Sequence, residues 1–382
     1  MTGPSRRRAG AAARATATLI GIAACSPPAT TSGGSGGSGT TADKAATATS
    51  ATAAGGMDAL VAAAKKEGTL NVIALPPDWA NYGEVIKAFE AKYGVKVASA
   101  QPDASSADEI TAAKNLQGQT KAPDVFDLSA AVAAANTSLF APYKVATFAE
   151  VPEKLKDPGG TWVNDYGGFM SIGYDAKLPT VTTVSDLLKP QFKGKVALNG
   201  DPTKAGAGFS GVVMAAIAQG GSPDDISKGV DFFKQLKAAG NFLPVDPTPA
   251  TIESGQTPVV IDWDYLNVAQ GAKLKGKMDW KTVVPPNAAV GGYYVQAINK
   301  DAPHPAAARL WQEFLYSDQG QNLWLKGGAR PVREEAMVKA GTIDKAAHSA
   351  LPKTEGTPVL LTQAQSDKAA EYLKVNWAKA VG

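Results

Sequence analysis

The sequence is poor in the residues that most metal sites and catalytic relays require. Its 382 residues include one cysteine, Cys25, and two histidines, His304 and His348. One cysteine excludes a disulfide framework within the chain and a cysteine-based zinc site. From residue 57 onward the chain also lacks the nucleophile-elbow, zinc-protease and phosphate-loop motifs. These absences favour a protein that binds without chemistry, with no cofactor and no metal.

Basic charge is also scarce once the N-terminus is set aside. The formal net charge is +3, of which the four arginines before residue 15 supply +4, so the rest of the chain carries −1. This charge does not indicate binding to nucleic acid. We expect contact with the membrane only through a lipid anchor.

The N-terminus has the pattern of an export signal. Residues 1–24 combine these arginines with a short apolar stretch over 15–24, which is too short to span a bilayer. It ends at Ile-Ala-Ala-Cys25, which resembles the lipobox of bacterial lipoproteins, so we expect Cys25 to carry lipid. A plain secretory signal with a chance cysteine is the alternative. Residues 25–56 are almost wholly small and polar, which predicts a flexible tether.

From residue 57 the pattern is globular and alternates helix with strand. Helices are predicted over 57–68 and 82–94, each ending at a glycine, with strands over 69–75 and 95–100. Further strands are predicted over 122–126, 171–177, 195–199, 257–266 and 291–300, and helices over 107–117, 208–220, 223–240, 305–317, 318–328 and 366–381. This alternation indicates an α/β fold with parallel strands.

Four predicted strand ends carry unusual side chains, and ligands in such folds lie beyond the carboxyl ends of strands. The first end holds Asp78, Trp79 and Tyr82; the second holds Asp127 and Ser129; the third holds Asp201 and Thr203; and the fourth holds Asp262, Trp263, Asp264 and Tyr265.

An aromatic ring beside a carboxylate suits an organic cation, because the ring face attracts the charge and the carboxylate accepts the ammonium hydrogens. Trp263 with Asp264 is the leading candidate pair, and Trp79 with Asp78 repeats the pairing. Buried tryptophans beside surface aspartates are the structural alternative. The third strand end opens a helix and includes Lys204, which favours an anion, unless Asp201 or Thr203 only caps the helix.

Three segments, 65–97, 186–202 and 314–333, resemble bacterial extracellular solute-binding proteins of ABC importers, in the branch serving polyamine, ferric iron, thiamine and aminoethylphosphonate uptake. The resemblance implies a type II periplasmic-binding-protein fold, in which two α/β lobes are joined by hinge strands. We therefore expect the first part of lobe 1 over 57–168, lobe 2 over 169–290, and over 291–382 a return crossover to lobe 1 with the C-terminal helices.

The resemblance also implies a monomeric, lipid-anchored protein on the extracellular face of the cell membrane that passes a small ligand to ABC permease subunits. An amine-bearing ligand, polyamine-like or zwitterionic like an aminophosphonate, fits the aromatic and acidic residues. Iron-binding relatives present two adjacent tyrosines where this chain reads Asp264-Tyr265, which weighs against ferric iron. Its adjacent pair, Tyr293-Tyr294, lies on a strand and points to opposite faces. An enzyme using cleft carboxylates and an adhesion lipoprotein are the remaining alternatives.

Overall fold

The computed structural model describes residues 41–382. Its strands are β1 (Thr69–Ile73), β2 (Lys96–Ala100), β3 (Val125–Leu128), β4 (Phe140–Ala141), β5 (Val163–Asp175), β6 (Val196–Leu198), β7 (Val259–Trp263), β8 (Trp280–Val283), β9 (Gly291–Asn299) and β10 (Arg330–Pro331). Its α-helices are α1 (Thr41–Thr47), α2 (Met57–Glu67), α3 (Tyr82–Tyr93), α4 (Ser106–Asn115), α5 (Ala130–Ala135), α6 (Gly206–Ala218), α7 (Ser227–Ala238), α8 (Pro249–Glu253), α9 (Asp264–Lys273), α10 (Pro305–Leu315), α11 (Asp318–Lys326), α12 (Glu334–Ala340), α13 (Lys345–Ser349) and α14 (Gln363–Val381). Short 3₁₀ turns cover Thr137–Leu139, Phe148–Glu150, Glu153–Leu155, Val184–Leu188 and Pro190–Phe192.

The long strand β5 belongs to both lobes. Its first half pairs antiparallel with β9 and β10, and its second half pairs antiparallel with β7 and β8. The strand order is β3-β9-β5-β7-β6, with β6 and β7 parallel, and β1 and β2 form a separate parallel pair. The change of partner falls between Phe169 and Met170, so lobe 1 and lobe 2 share one continuous strand there.

Apolar helix faces cover the strands of each lobe. In lobe 1, Phe89 of α3 packs edge-on against Trp311 of α10, with ring centroids 5.0 Å apart. In lobe 2, α7 packs against α6 and also receives the C-terminal helix α14, where the rings of Phe233 and Trp377 lie 5.2 Å apart. The last helix therefore packs mainly on lobe 2 and also contacts α5 of lobe 1, whereas α10 and α11 pack on lobe 1.

Several predicted elements agree with the structure. Helices α2 and α3 end at Gly68 and Gly94, which adopt left-handed backbone angles with φ of 77° and 68°. Glycine adopts these angles without the Cβ clash that other residues meet. The two glycines in the sequence therefore predicted where both helices end. Within residues 41–382, no helix is both long enough and apolar enough to span a membrane.

Three predicted elements need correction. The tether predicted over 25–56 is packed structure from residue 41 onward: Ala45 and Ala54 are buried, and the Arg309 Nε donates to the carbonyl of Ala48 at 2.6 Å. The crossover strand begins at Val163 rather than residue 171, because β9 and β10 bury a polar, glycine-containing segment. The strand predicted over 257–266 ends at Trp263, where α9 begins.

Candidate functional site: the interlobe cleft

A cleft of about 520 Å³ lies between the two lobes. Its lobe 1 wall comes from the loops after β1 and β2, from α4 and from β3. Its lobe 2 wall comes from the loop after β6, from the residues before and within α8, and from β7 and α9. Strands that end at the cleft bring together side chains far apart in the chain, as is usual for ligand sites in α/β folds.

The lobe 1 wall carries two buried carboxyl groups, Glu109 and Asp127. Glu109 Oε2 accepts a hydrogen bond from the Asp127 amide at 3.0 Å. Asp127 Oδ2 accepts from the hydroxyls of Tyr82 and Tyr166, at 2.9 and 3.0 Å. Glu109 Oε1 and Asp127 Oδ1 have no hydrogen-bond partner among residues 41–382. Two unpartnered carboxyl oxygens in a buried wall are costly unless a donor reaches them.

Burial shifts the acidity of these groups. Desolvation raises the pKa of Asp127 to about 7, and hydrogen bonds from Tyr82 and Tyr166 only partly oppose it. Desolvation, with the nearby charge of Asp127, also raises the pKa of Glu109 well above its ordinary value. Burial and the nearby charge of Asp127 also raise the pKa of Asp165, which is fully buried. The wall therefore holds protons near neutral pH that a bound cation would displace.

The lobe 2 wall carries Asp262 in β7 and Asp246 at the mouth of the cleft. Asp262 is 7 % exposed, and desolvation raises its pKa to about 7, with Asp246 adding a smaller effect of the same sign. Asp262 Oδ1 accepts from the Trp263 amide at 2.8 Å, and Asp246 Oδ1 accepts from the Gly200 amide at 2.8 Å. Both walls of the cleft therefore present carboxyl groups.

Two aromatic side chains line the cleft between these acids. The Trp79 Nε1 donates to the Tyr166 hydroxyl at 2.8 Å, and its ring meets that of Tyr294 edge-on at 5.7 Å. The ring of Tyr294 stacks on Tyr166, with centroids 5.5 Å apart and planes 10° apart. These contacts hold Trp79 and Tyr294 in fixed orientations at the cleft surface.

Two lysines line the cleft, and each has an acidic neighbour. Lys273 of α9 reaches across to Asp78 of lobe 1, with 2.7 Å between Nζ and Oδ2, and so links the lobes. Lys204 is 75 % exposed and lies 3.9 Å from Asp201 Oδ2. The carboxyl groups of the lining, from Asp78, Asp103, Glu109, Asp127, Asp246 and Asp262, outnumber them. The electrostatic character of the cleft is acidic.

Of the residues predicted from sequence, Asp78 and Trp79 line the cleft. Tyr82 is fully buried behind Asp127 and acts on the cleft only through that hydrogen bond. Ser129 immediately precedes α5 and lies against Gly206 of lobe 2. Its backbone amide donates to the Ser106 hydroxyl at 2.9 Å.

The other predicted pair, Trp263 and Asp264, lies behind the cleft wall. Trp263 is 3 % exposed and packs against Gly292 and Tyr265, and Asp264 is fully buried in an ion pair with Arg330, 2.6 Å between Nη1 and Oδ2. Tyr265 is also fully buried. The physical reason is the end of β7 at Trp263: Asp262 still faces the cleft, whereas the turn into α9 directs Asp264 toward β5 and β10.

The third strand end forms a local turn. Asp201 Oδ1 accepts from the amide and the hydroxyl of Thr203, at 2.9 and 2.7 Å, and neither residue lines the cleft. These two side chains therefore close a turn before α6 and do not cap it, because the N-cap of α6 is Ala205, which has no side-chain capping hydrogen bond. Cys25 lies outside the described residues.

Glu109 is the site residue that the sequence reasoning missed. The available signal was an acidic residue beside Ile110 on the apolar face of a predicted helix. The sequence places Asp127 and Asp262 at strand ends but gives no reason to prefer them over the neighbouring residues.

The described residues contain no group of three or more histidine, cysteine or acidic side chains arranged to hold a metal ion. Tyr294 lines the cleft, whereas Tyr293 does not, so the adjacent tyrosines do not converge on one point.

Comparison with known proteins shows which family shares this fold. A family model for bacterial extracellular solute-binding proteins matches residues 121–355. Iron-bound HitA from Pseudomonas aeruginosa is similar in structure, with a TM-score of 0.60 and 22% identity over 82% of this chain and 99% of HitA.

Two other solved structures are similar over 82% of this chain and 98% of their own. They are AfuA from Actinobacillus pleuropneumoniae with fructose-6-phosphate (TM-score 0.60, 18% identity) and AgtB from A. tumefaciens R10 with agropinic acid (0.63, 16%). No curated protein matches the sequence. The predicted type II periplasmic-binding fold of two α/β lobes is confirmed, and the chain belongs to the bacterial extracellular solute-binding protein family.

Proposed function

We propose that this protein captures an amine-bearing solute in the interlobe cleft and delivers it to the permease of an ABC importer. One observation carries the choice of ligand: Glu109 and Asp127 line the cleft, and one carboxyl oxygen of each, Oε1 and Oδ1, is buried without a hydrogen-bond partner among the described residues. An ammonium group supplies three donors and a positive charge, which are what unpartnered carboxyl oxygens lack.

The aromatic lining supports the same ligand class. Trp79 and Tyr294 present ring surface beside the acidic wall, and ring faces attract organic cations. The proposed cation site still combines an aromatic ring with a carboxylate, as the sequence suggested. The two residues are Trp79 and Asp127 instead of Trp263 and Asp264. An anionic ligand would meet six carboxyl groups and only two lysines, both already beside acids.

Binding without turnover is part of the proposal, because the family and its solved relatives are solute-binding proteins. The relatives' ligands differ widely, including iron, a sugar phosphate and agropinic acid, so the ligand must be argued from this cleft. Ferric iron is the second candidate. It rests on the likeness to iron-bound HitA, and the tyrosine arrangement described above weighs against it.

A thermal-shift panel tests the ligand class. It contains putrescine, spermidine, choline, aminoethylphosphonate, thiamine, fructose-6-phosphate and ferric citrate. A ligand that binds only the folded state raises the melting temperature by mass action, and we expect an amine to give the largest rise. Asp127→Asn should abolish that rise, whereas the exposed control Asp231→Asn on α7 should retain it. A largest shift from ferric citrate or fructose-6-phosphate would overturn the proposal.

We also propose that the mature protein is a monomer anchored through lipid on Cys25 to the extracellular face of the cell membrane. The export pattern of residues 1–24 and the small, polar composition of residues 26–40 support this. Membrane fractionation of cells expressing Cys25→Ser is the test. Release of the variant from the membrane fraction is expected, and unchanged membrane retention would contradict the anchor.

A further inference from the structure

Carboxyl groups lie on both walls of the cleft, which is more than one ammonium group needs for binding. Glu109 and Asp127 belong to lobe 1, whereas Asp246 and Asp262 belong to lobe 2. A ligand with a single positive charge would satisfy one wall and leave the other with carboxyl groups facing a desolvated cleft. Such uncompensated acids oppose closure, since a buried charge without a partner is costly.

The lobe 2 wall offers little to an anionic end. Asp262 is buried in it, and Lys273 is already paired with Asp78. Lys204 points largely into solvent, with three quarters of its side chain exposed. A zwitterionic solute held by its ammonium group on lobe 1 would therefore place its negative group near Asp262, where repulsion opposes binding.

Tyr294 connects the two acidic walls. It lines the cleft on the strand that leads from lobe 2 back to lobe 1. Burial raises the pKa of its hydroxyl, and the nearby charges of Asp127 and Asp262 add to the rise. Together with the ring of Trp79, it provides apolar surface between the acids. An aliphatic chain is the group that such a surface between two cation sites would accept.

We infer that the ligand is a linear dication, an α,ω-diamine or a longer polyamine, with one ammonium group bound by the lobe 1 carboxyls and the other by Asp262. This rests on the proposed function and selects, within the amines, a dication over a monoamine and over a zwitterion. Because each end binds a different lobe, the ligand also holds the lobes together, so both charges contribute to closure.

Isothermal titration with ligands matched in length tests the inference. Putrescine, butylamine and γ-aminobutyrate share a four-carbon chain and differ only in the second end group; cadaverine and spermidine extend the series. We expect the best diamine or polyamine to bind about tenfold to a hundredfold more tightly than butylamine, and γ-aminobutyrate to bind more weakly than butylamine.

Two variants locate the charges. Asp262→Asn should reduce the preference for the diamine over butylamine to near unity while leaving butylamine affinity within about threefold. Asp231→Asn should leave both affinities unchanged. Equal affinity for diamine and monoamine in the unmodified protein, or tightest binding of γ-aminobutyrate, would overturn the dication while keeping an amine ligand. If none of the amines binds, the proposed function itself fails. The comparison in the unmodified protein holds even if a variant folds poorly.

Discussion

Amine affinity should fall steeply as the pH drops below about 7. In the empty cleft, desolvation raises the pKa of both Asp127 and Asp262 to about 7. An ammonium group placed beside either carboxyl favours its ionised form and lowers that pKa again. Binding therefore releases protons near neutral pH. The amine itself stays charged throughout, because alkyl ammonium groups titrate near a pKa of about 10.

The size of the effect follows from these values. A carboxyl with a pKa of about 7 is roughly nine-tenths protonated at pH 6 and one-tenth protonated at pH 8. Each such group therefore weakens binding about tenfold over this interval, and the two together weaken it about a hundredfold. The other acids near these two groups are Asp246 beside Asp262, and Glu109 and Asp165 beside Asp127, whose pKa values are raised by burial and by the charge of Asp127.

Titration calorimetry at pH 6 and pH 8 measures the dependence directly. Repeating each titration in phosphate and in Tris counts the protons released, because the two buffers take up protons with different heats. We expect Asp262→Asn to remove about one proton from the count and about tenfold from the pH dependence. Equal affinities at both pH values, with heats that do not depend on the buffer, would refute this account of the cleft.

Two further predictions concern the stability of the ligand-free protein. Asp262→Asn should raise the free energy of unfolding at pH 8, since a folded-state pKa of about 7 against an ordinary 3.8 costs up to roughly 4 kcal/mol once the carboxyl is ionised. The cost falls as the pH drops toward 4, so urea denaturation should show the full gain at pH 8, less than half of it at pH 5 and little at pH 4, and an equal gain at pH 8 and pH 4 would count against it. Arg330→Ala should lower the free energy of unfolding by about 3–5 kcal/mol, because it leaves Asp264 buried and unpaired. Adding Asp264→Asn should recover part of the loss in the same assay, and a loss below about 1 kcal/mol for the single variant would contradict the assigned role.

Local pattern predicted most of the fold. The apolar runs of β1 and β9 and the glycines that end α2 and α3 are properties of neighbouring residues, so they could be read without tertiary structure. The start of β5 could not, because Val163–Asp175 opens with polar residues and two glycines. Pairing with β9 and β10, from more than a hundred residues away, makes that segment a strand.

The candidate site depended more on tertiary structure. The sequence indicated strand ends, acidic residues and aromatic rings, and thereby an amine ligand. It could not distinguish Asp262, which faces the cleft, from Asp264, which Arg330 neutralises sixty-six residues later in the chain. It also could not bring Glu109 of a helix to Asp127 of a strand.

The sequence by itself thus determined the α/β class and the kinds of side chain available for binding, because helix and strand periodicity and strand-end chemistry are local. The two lobes followed from the resemblance to solute-binding proteins. Only the tertiary structure decided which carboxyl groups face the cleft and which are paired with a cation or held in a local turn. Burial and partner choice arise from contacts between distant segments. A carboxyl that lines a desolvated cleft without a partner acts as a receptor for a cation, whereas the same group beside an arginine contributes only to the fold.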